Sequence, residues 1–316
     1  MARALQITFL GTSAGVPTRA RNVSAVALRF EQRAAVWLFD CGEGTQHQFL
    51  RTDLKTSQLS HIFITHLHGD HVYGLAGLLA TCGLSGPGQL IRVYGPAGLP
   101  DYLEACGRLT QSDFSARVTA IIVSPGVIYE DEEFIVSCQP LRHRVPTFGY
   151  RVTEKERAGR FDVERAAALG IPAGPLYGKL KRGERVTLPD GRTFDGADLC
   201  TPPEPGRSVV YCTDTMYCET AIALAADADV LIHEATFAGP DEQLARVSLH
   251  STATVAARVA AEARVKQLIL THISPRYTPG SDVDTNDLLR EASAIFPDTI
   301  LAYDFLRIDV PRHIAR

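Results

Sequence analysis

"THLHGDH" (65–71) places four metal-competent side chains, His66, His68, Asp70 and His71, within six residues. Each offers a nitrogen or oxygen donor. His66 and His68 are two apart, so both can face one point where a strand ends. Asp70 and His71 follow Gly69, a residue that permits a sharp turn and close backbone approach, and they can face a second point nearby. A catalytic zinc typically takes three protein ligands and keeps one position open. The quoted stretch therefore holds too many ligands for one such ion and too few for two. Further donors are expected elsewhere in the chain.

Working outward, "LSHIFITH" (59–66) reads as a strand running into the motif, and "VYGLAGLLATCGL" (72–84) has apolar residues at helical spacing. The motif is thus expected in a loop between a strand end and a helix start. Upstream, "LQITFLG" (5–11), "SAVALRF" (24–30) and "AAVWLFDCG" (34–42) read as strands, with "EGTQHQFLRT" (43–52) as a short helix. Downstream, "LIRVYGP" (90–96) and "EEFIVSCQPLRH" (132–143) read as strands. After residue 207, "SVVYCTD" (208–214), "DVLIHEATF" (229–237) and "KQLILTHIS" (266–274) read as strands. They alternate with helices at 218–228, 250–265 and 283–296, and "TILAYDFLRIDV" (299–310) follows. Strands precede helices in both halves, which argues an α/β fold. The stretch 151–207 differs. It is rich in Gly, Pro and charge, and reads as an excursion from the core of a single domain spanning 1–316.

Composition narrows the class. The 316 residues are 45% apolar and 22% charged, which fits a soluble globular chain with a sizeable core. No run of eighteen or more apolar residues appears, so no membrane span is expected. "MARALQITFLGTSAG" (1–15) reads as a short strand rather than a signal peptide. The seven cysteines are odd in number and form no CxxC pair, which argues against a disulfide framework and for a reducing cytoplasm. A net charge of −4 does not advertise a nucleic-acid binder, although a local basic patch can act on its own.

Three later residues supply the missing donors. His143, Asp214 and His272 each close a predicted strand, at a sheet edge where loops build sites. The set then divides simply. His66, His68 and His143 hold one metal; Asp70, His71 and His272 hold the other; Asp214, with two carboxylate oxygens, bridges them. Asp214 could instead cap the helix predicted after it. His47, His61 and His313 have no partner pattern and read as structural or solvated.

HxHxDH followed by later His, Asp and His resembles the metallo-β-lactamase superfamily. More specific segments resemble its ribonuclease Z family, the tRNA 3′-processing endonucleases. They are "LGTSAGVPT" (10–18), "DCGEGTQ" (40–46), "HLHGDH" (66–71), "GPLYGKL" (174–180), "PGRSVVYCTDT" (205–215), "HEATF" (233–237), "HSTA" (250–253) and "THISPRY" (271–277). The resemblance implies a four-layer αβ/βα sandwich with an inserted projecting arm over 151–207. It implies two Zn2+ per subunit, although this donor set also suits Mn2+ or another divalent ion. It implies cleavage of precursor tRNA after the discriminator nucleotide, leaving a tRNA 3′-OH and a trailer 5′-phosphate; the alternative on the same donor set is a general zinc phosphodiesterase or another hydrolase of small molecules on this fold. Asp70 would orient or deprotonate the attacking water. His250 would serve the leaving 3′-oxygen as proton donor or charge stabiliser, oriented by Glu234.

The arm would bind tRNA backbone, and a homodimer would present tRNA from one subunit's arm to the other's site. Between Tyr177 and Arg192 the arm carries Lys179, Lys181, Arg182, Arg185 and Arg192 against Glu184 and Asp190. Without the resemblance, that charge run reads as a solvated loop. Two positions depart from the family pattern: Thr213 precedes Asp214 where glycine is usual, and Thr201 precedes Pro202-Pro203 in the same way.

Overall fold

The computed structural model describes residues 5–84, 90–112, 117–157, 159–277 and 280–312. The described strands are β1 (Leu5–Gly11), β2 (Ala25–Phe30), β3 (Ala35–Phe39), β4 (Leu59–Phe63), β5 (Ile91–Gly95), β6 (Val118–Ile122), β7 (Gly126–Glu130), β8 (Phe134–Pro140), β9 (Phe148–Glu154), β10 (Arg185–Thr187), β11 (Thr193–Asp195), β12 (Ser208–Cys212), β13 (Val230–Glu234), β14 (Gln267–Thr271), β15 (Thr299–Leu301) and β16 (Arg307–Asp309). The helices are α1 (Thr45–Leu50), α2 (Gly69–Val72), α3 (Leu75–Leu84), α4 (Leu99–Thr110), α5 (Val163–Ala168), α6 (Pro175–Lys181), α7 (Glu219–Ala225), α8 (Glu242–Ser248), α9 (Ala253–Glu262) and α10 (Thr285–Ile295).

Two mixed seven-stranded sheets organise the larger compact unit, in the orders β16-β1-β2-β3-β4-β5-β6 and β15-β14-β13-β12-β9-β8-β7. Their central strands are apolar on both faces, as sheets covered on both sides require. One face of each sheet meets the other through Phe39, Phe63, Tyr150 and Tyr211; the Phe39 and Tyr211 rings lie 5.4 Å apart, Phe63 and Tyr150 also 5.4 Å. The opposite faces carry helices. Leu75, Leu78 and Leu79 of α3 and Leu99 and Leu103 of α4 pack on the first sheet. Alanines of α9 (253, 256, 257 and 260) pack on the second, together with Leu288 and Ala292 of α10. This is the expected αβ/βα sandwich. Helix starts are fixed locally: Thr252 accepts from Val255 N at 3.3 Å, and Asp284 with Asp287 forms a capping box.

The second compact unit comprises 132–134, 153–207 and the chain from 312. It is not a bare loop. Ala166, Ile171, Leu180, Val186, Leu188 and Leu199 form a buried cluster of their own. β10 and β11 pair as a hairpin there. A carboxylate holds the feet of this unit together. Glu154 is buried and pairs with Arg157 at 3.0 Å and Arg207 at 2.8 Å, and with Arg312.

Several local expectations are corrected. The motif is not all loop, because Gly69–Val72 is helical and puts Asp70 and His71 in the first turn of α2. Gly69 shows no left-handed φ; a Cβ there would meet the exposed Tyr73 ring at 2.1 Å, so that ring would have to swing aside. Strand β8 ends at Pro140, so His143 stands in the connection to β9 rather than at a strand end. Asp214 caps no helix, because α7 starts at Glu219 behind Cys218. Strands β6, β7 and β9 and helix α4 carried no reading from sequence. His313 lies outside the described residues.

Candidate active site

The site gathers at the carboxyl ends of β4, β12, β13 and β14, where open α/β sheets place their ligands. β12, β13 and β14 run parallel, with Cys212 opposite His233 and Glu234 opposite Thr271. That register brings Asp214, Glu234 and His272 to one edge. Asp40, Asp214 and His272 each adopt left-handed backbone at φ 55–56° just past a strand. Non-glycine residues hold this conformation at a cost, and only where surrounding contacts fix it. Gly42 lets the neighbouring turn come close: a Cβ on it would stand 2.3 Å from the Asp70 carbonyl oxygen.

Two donor groups result. Ligand atoms of His66, His68, His143 and Asp214 lie within 4.8 Å of one another, as do those of Asp70, His71 and His272. His66 Nε2 is 2.9 Å from His68 Nδ1, and His143 Nε2 is 3.3 Å from the same atom. In the second group, His71 Nε2 and His272 Nε2 are 3.3 Å apart, with Asp70 Oδ2 3.3 Å from each. Asp214 faces both groups. Its Oδ1 is 3.2 Å from His71 and 3.1 Å from His272; its Oδ2 is 3.5 Å from His66 and 3.7 Å from His143.

The remaining ring nitrogens show which atoms are free to coordinate. His71 Nδ1 donates to Asp40 at 2.8 Å, His143 Nδ1 to the Leu249 carbonyl at 3.0 Å, and His272 Nδ1 to the Thr236 hydroxyl at 2.9 Å. His66 Nδ1 meets the Thr65 hydroxyl at 3.0 Å. With Nδ1 engaged in these four rings, Nε2 is the atom each turns toward the donor groups, and His68 faces them with Nδ1. Converging lone pairs with buried carboxylates repel unless a cation lies between them. The donor set therefore fits divalent metal ions, and partners such as Asp40 fix ligand tautomers as metal sites require.

Charge states follow the same logic. Burial holds the His66 ring far below its ordinary pKa, and His71 and the other rings add to this. For His71 burial also opposes charge, but Asp214, Asp40 and Asp70 together outweigh it and push the ring well up. For Asp214, burial opposes ionisation, yet His272, His71 and His66 hold it far below the usual carboxylate range. Asp70 is depressed likewise, with burial overcome by His71 and His272.

A second network adjoins the first. Glu234 Oε1 accepts from His250 Nδ1 at 2.9 Å and from Thr215 N at 2.6 Å. Its Oε2 accepts from Ser251 N at 2.9 Å and the Thr236 hydroxyl at 2.6 Å. Burial works against a charged His250, but Glu234 and then Asp214 prevail and raise its pKa to about 9. His250 Nε2 lies 3.9 Å from Asp214 Oδ2, close enough to group with Asp214 and His272. Glu234 thus holds this ring at the edge of the donor groups and favours its charged form.

These contacts add residues that the sequence reading passed over. Asp40 accepts from Thr65 N, Tyr211 Oη and His71. Thr236 joins His272 to Glu234 in one hydrogen-bonded chain. Asp40 lies inside "DCGEGTQ", but nothing local in that segment pairs it with a histidine 31 residues away. Thr213, the departure from the family pattern, donates its hydroxyl to Asp214 Oδ1 at 3.0 Å. Thr201 uses its hydroxyl to accept from Arg160 N at 2.8 Å.

His61 stacks among Trp37, Tyr94 and Tyr129, with burial lowering its pKa to about 4, and His47 is exposed. Both stand apart from the donor groups. Among the arm residues, Arg182 pairs with Glu184 at 2.7 Å and Arg185 with Asp195 at 3.3 Å. Lys179 and Lys181 are exposed and make no ion pair among the described residues.

Comparisons with known proteins identify the family. A family described as a beta-lactamase superfamily domain matches residues 198–273, and one described as anti-Pycsar protein Apyc1 matches residues 5–103. The chain is 65% identical to Ribonuclease Z of Rippkaea orientalis over 98% of both chains. It is 63% identical to Ribonuclease Z of Gloeothece citriformis, over 98% of this chain and 97% of that one. Among solved structures, human tRNase Z, short form, superposes with a TM-score of 0.69 at 31% identity, covering 97% of this chain and 99% of the other. On this similarity, and on the sandwich fold they share, the chain belongs to the ribonuclease Z family of the metallo-β-lactamase superfamily.

Proposed function

We propose that this chain is a metal-dependent endoribonuclease that removes the 3′ trailer of precursor tRNA. The cut falls after the discriminator nucleotide and leaves a tRNA 3′-OH and a trailer 5′-phosphate. The observation that carries this reading is the pairing of two donor groups across Asp214 with a protonated His250 at their side. His66, His68 and His143 would hold one ion and Asp70, His71 and His272 the other, with Asp214 shared. We assign two Zn2+, with Mn2+ or another divalent ion able to occupy the same donors. Bound there, such ions acidify a water and neutralise charge on a phosphodiester.

The chain's own residues do the rest. Asp70 is held in place by Gly15 N at 2.8 Å and by His71 and His272. Placed there, it would orient the attacking water or take its proton. His250 donates a proton to the departing 3′-oxygen. Glu234 keeps the imidazole charged and fixes its orientation, and is itself locked by Thr215 N, Ser251 N and Thr236.

The 151–207 segment would act as an arm that grips tRNA backbone. Lys179 and Lys181 make no ion pair among the described residues, while Arg182 and Arg185 can exchange their surface partners for phosphate. We further read the enzyme as a homodimer that works in the cytoplasm. Seven free cysteines suit a reducing compartment, and no described helix is long and apolar enough to cross a membrane.

The test is cleavage of a 5′-labelled precursor tRNA with a 3′ trailer, with and without a chelator, followed by mapping of the new end. Chelator-sensitive cutting at the discriminator with a 3′-OH is expected. No cleavage by the metal-loaded protein would overturn the reading.

A further inference from the structure

A cavity of about 330 Å³ opens over the donor groups. Its wall includes Asp70, Asp214, His143 and His250, and also Arg144, which has no role in the scheme above. Arg144 directly follows His143, and its charge lies near enough to the donor groups to act on His68. Its guanidinium donates to the Ser248 carbonyl at 3.0 Å and is exposed. Among the described residues it pairs with no carboxylate, although Asp70 and Asp214 line the same cavity. Arg276, by contrast, lies over the Phe237 ring and pairs with Asp241 at 3.3 Å, so its charge is already matched.

An arginine anchored by one N–H to a neutral carbonyl keeps its other donors in a fixed, planar fork. That fork suits a phosphate oxygen better than it suits solvent. The scissile phosphate belongs between the donor groups, beneath His250. The Arg144 fork stands at the exposed wall of the cavity. We infer that Arg144 binds the RNA phosphate next to the scissile one and so sets the register of the strand at the cut. It is a positioning residue, specific for a chain of successive phosphates rather than for an isolated diester. The inference rests on the proposed function, since it concerns the RNA lying in that site.

The experiment measures kcat/KM for precursor tRNA with the metal-loaded full chain, at salt from about 50 to 200 mM. The parent, Arg144→Gln and Arg144→Lys are compared. Gln can keep the bond to the Ser248 carbonyl but loses the charge. Lys keeps the charge. Arg144→Gln is expected to lower kcat/KM about tenfold, the worth of one charge-assisted hydrogen bond. It should also flatten the log–log salt slope by about 0.7, the share of one phosphate on a single strand. Arg144→Lys is expected to keep the parent slope. A purely structural role for Arg144 would lower the rate without changing the slope. A parent that cleaves while Arg144→Gln keeps its slope would overturn this inference alone. A metal-loaded parent that does not cleave at all would overturn both it and the proposed function.

Discussion

At the strand ends, Asp40, Asp214 and Glu234 are buried, and each carboxylate meets at least one histidine. In the 153–207 unit, Lys179, Lys181, Arg182 and Arg185 are exposed, and the arginines meet acids that are themselves partly exposed. Both regions are dense in charge, yet the physics differs. Buried charges have no water to fall back on, so removing one partner leaves the other uncompensated. Exposed pairs exchange with water and salt at little cost, and their effect is collective. The lesson is that single residues decide the behaviour of the first region and net charge decides that of the second.

The largest break is Asp214→Ala. It removes the carboxylate shared by both groups, so metal retention and cleavage should both fail, with turnover down at least about a thousandfold. Metal content after gel filtration and turnover on precursor tRNA check it. Normal metal content with normal cleavage would end the bridging role. Next comes His250→Ala, expected to lower turnover about a hundredfold or more while metal content holds, as loss of a general acid does.

Glu234→Gln sharpens the same region through pH. Glu234 raises the His250 pKa to about 9, so a rate that needs the acid is expected to fall as pH rises through that value. Removing the carboxylate lowers the imidazole pKa, and the alkaline limb should move to lower pH. An alkaline limb at the parent's position would show that another group sets it. Asp40→Asn frees His71 Nδ1–H from its anionic acceptor, and metal affinity should drop about 10- to 100-fold. Competition with a coloured chelator reads this directly.

The exposed region gives the smallest effects. Lys179→Ala with Lys181→Ala should weaken precursor binding severalfold and flatten its salt slope, by about 0.7–0.9 for each phosphate left without its lysine. Arg182→Ala, whose charge already meets Glu184, should change less. If the arginine mattered more than both lysines, the contrast between committed and free cations would fail.

Much of this could be read along the chain because it is local. The HxHxDH spacing, the strand before it and the helix after it all lie within reach of one backbone segment, so residue spacing fixes direction. The same is true of the strand-end positions of Asp214 and His272, which follow apolar runs bounded by polar residues. Local reading failed where a residue's job depends on a distant contact. His143 was read as closing a strand, but β8 ends at Pro140 and the distant Leu249 carbonyl engages the His143 ring. The 151–207 stretch looked like a loop because its apolar residues are sparse; six of them still converge into a core once folded.

By itself, then, the sequence determined the donor types, their division into two sets and the α/β class. Only the tertiary structure decided which nitrogen of each histidine is free, because that depends on Asp40, Leu249 and Thr236, brought in from other strands and turns. It also decided that Glu234 lies against His250 and raises its pKa, and that Arg144 meets a carbonyl and, among the described residues, no carboxylate, since charge state is set by what surrounds a group after folding. Parallel pairing of β12, β13 and β14 put those surroundings in place, and strand register is a long-range property that no short window of residues contains.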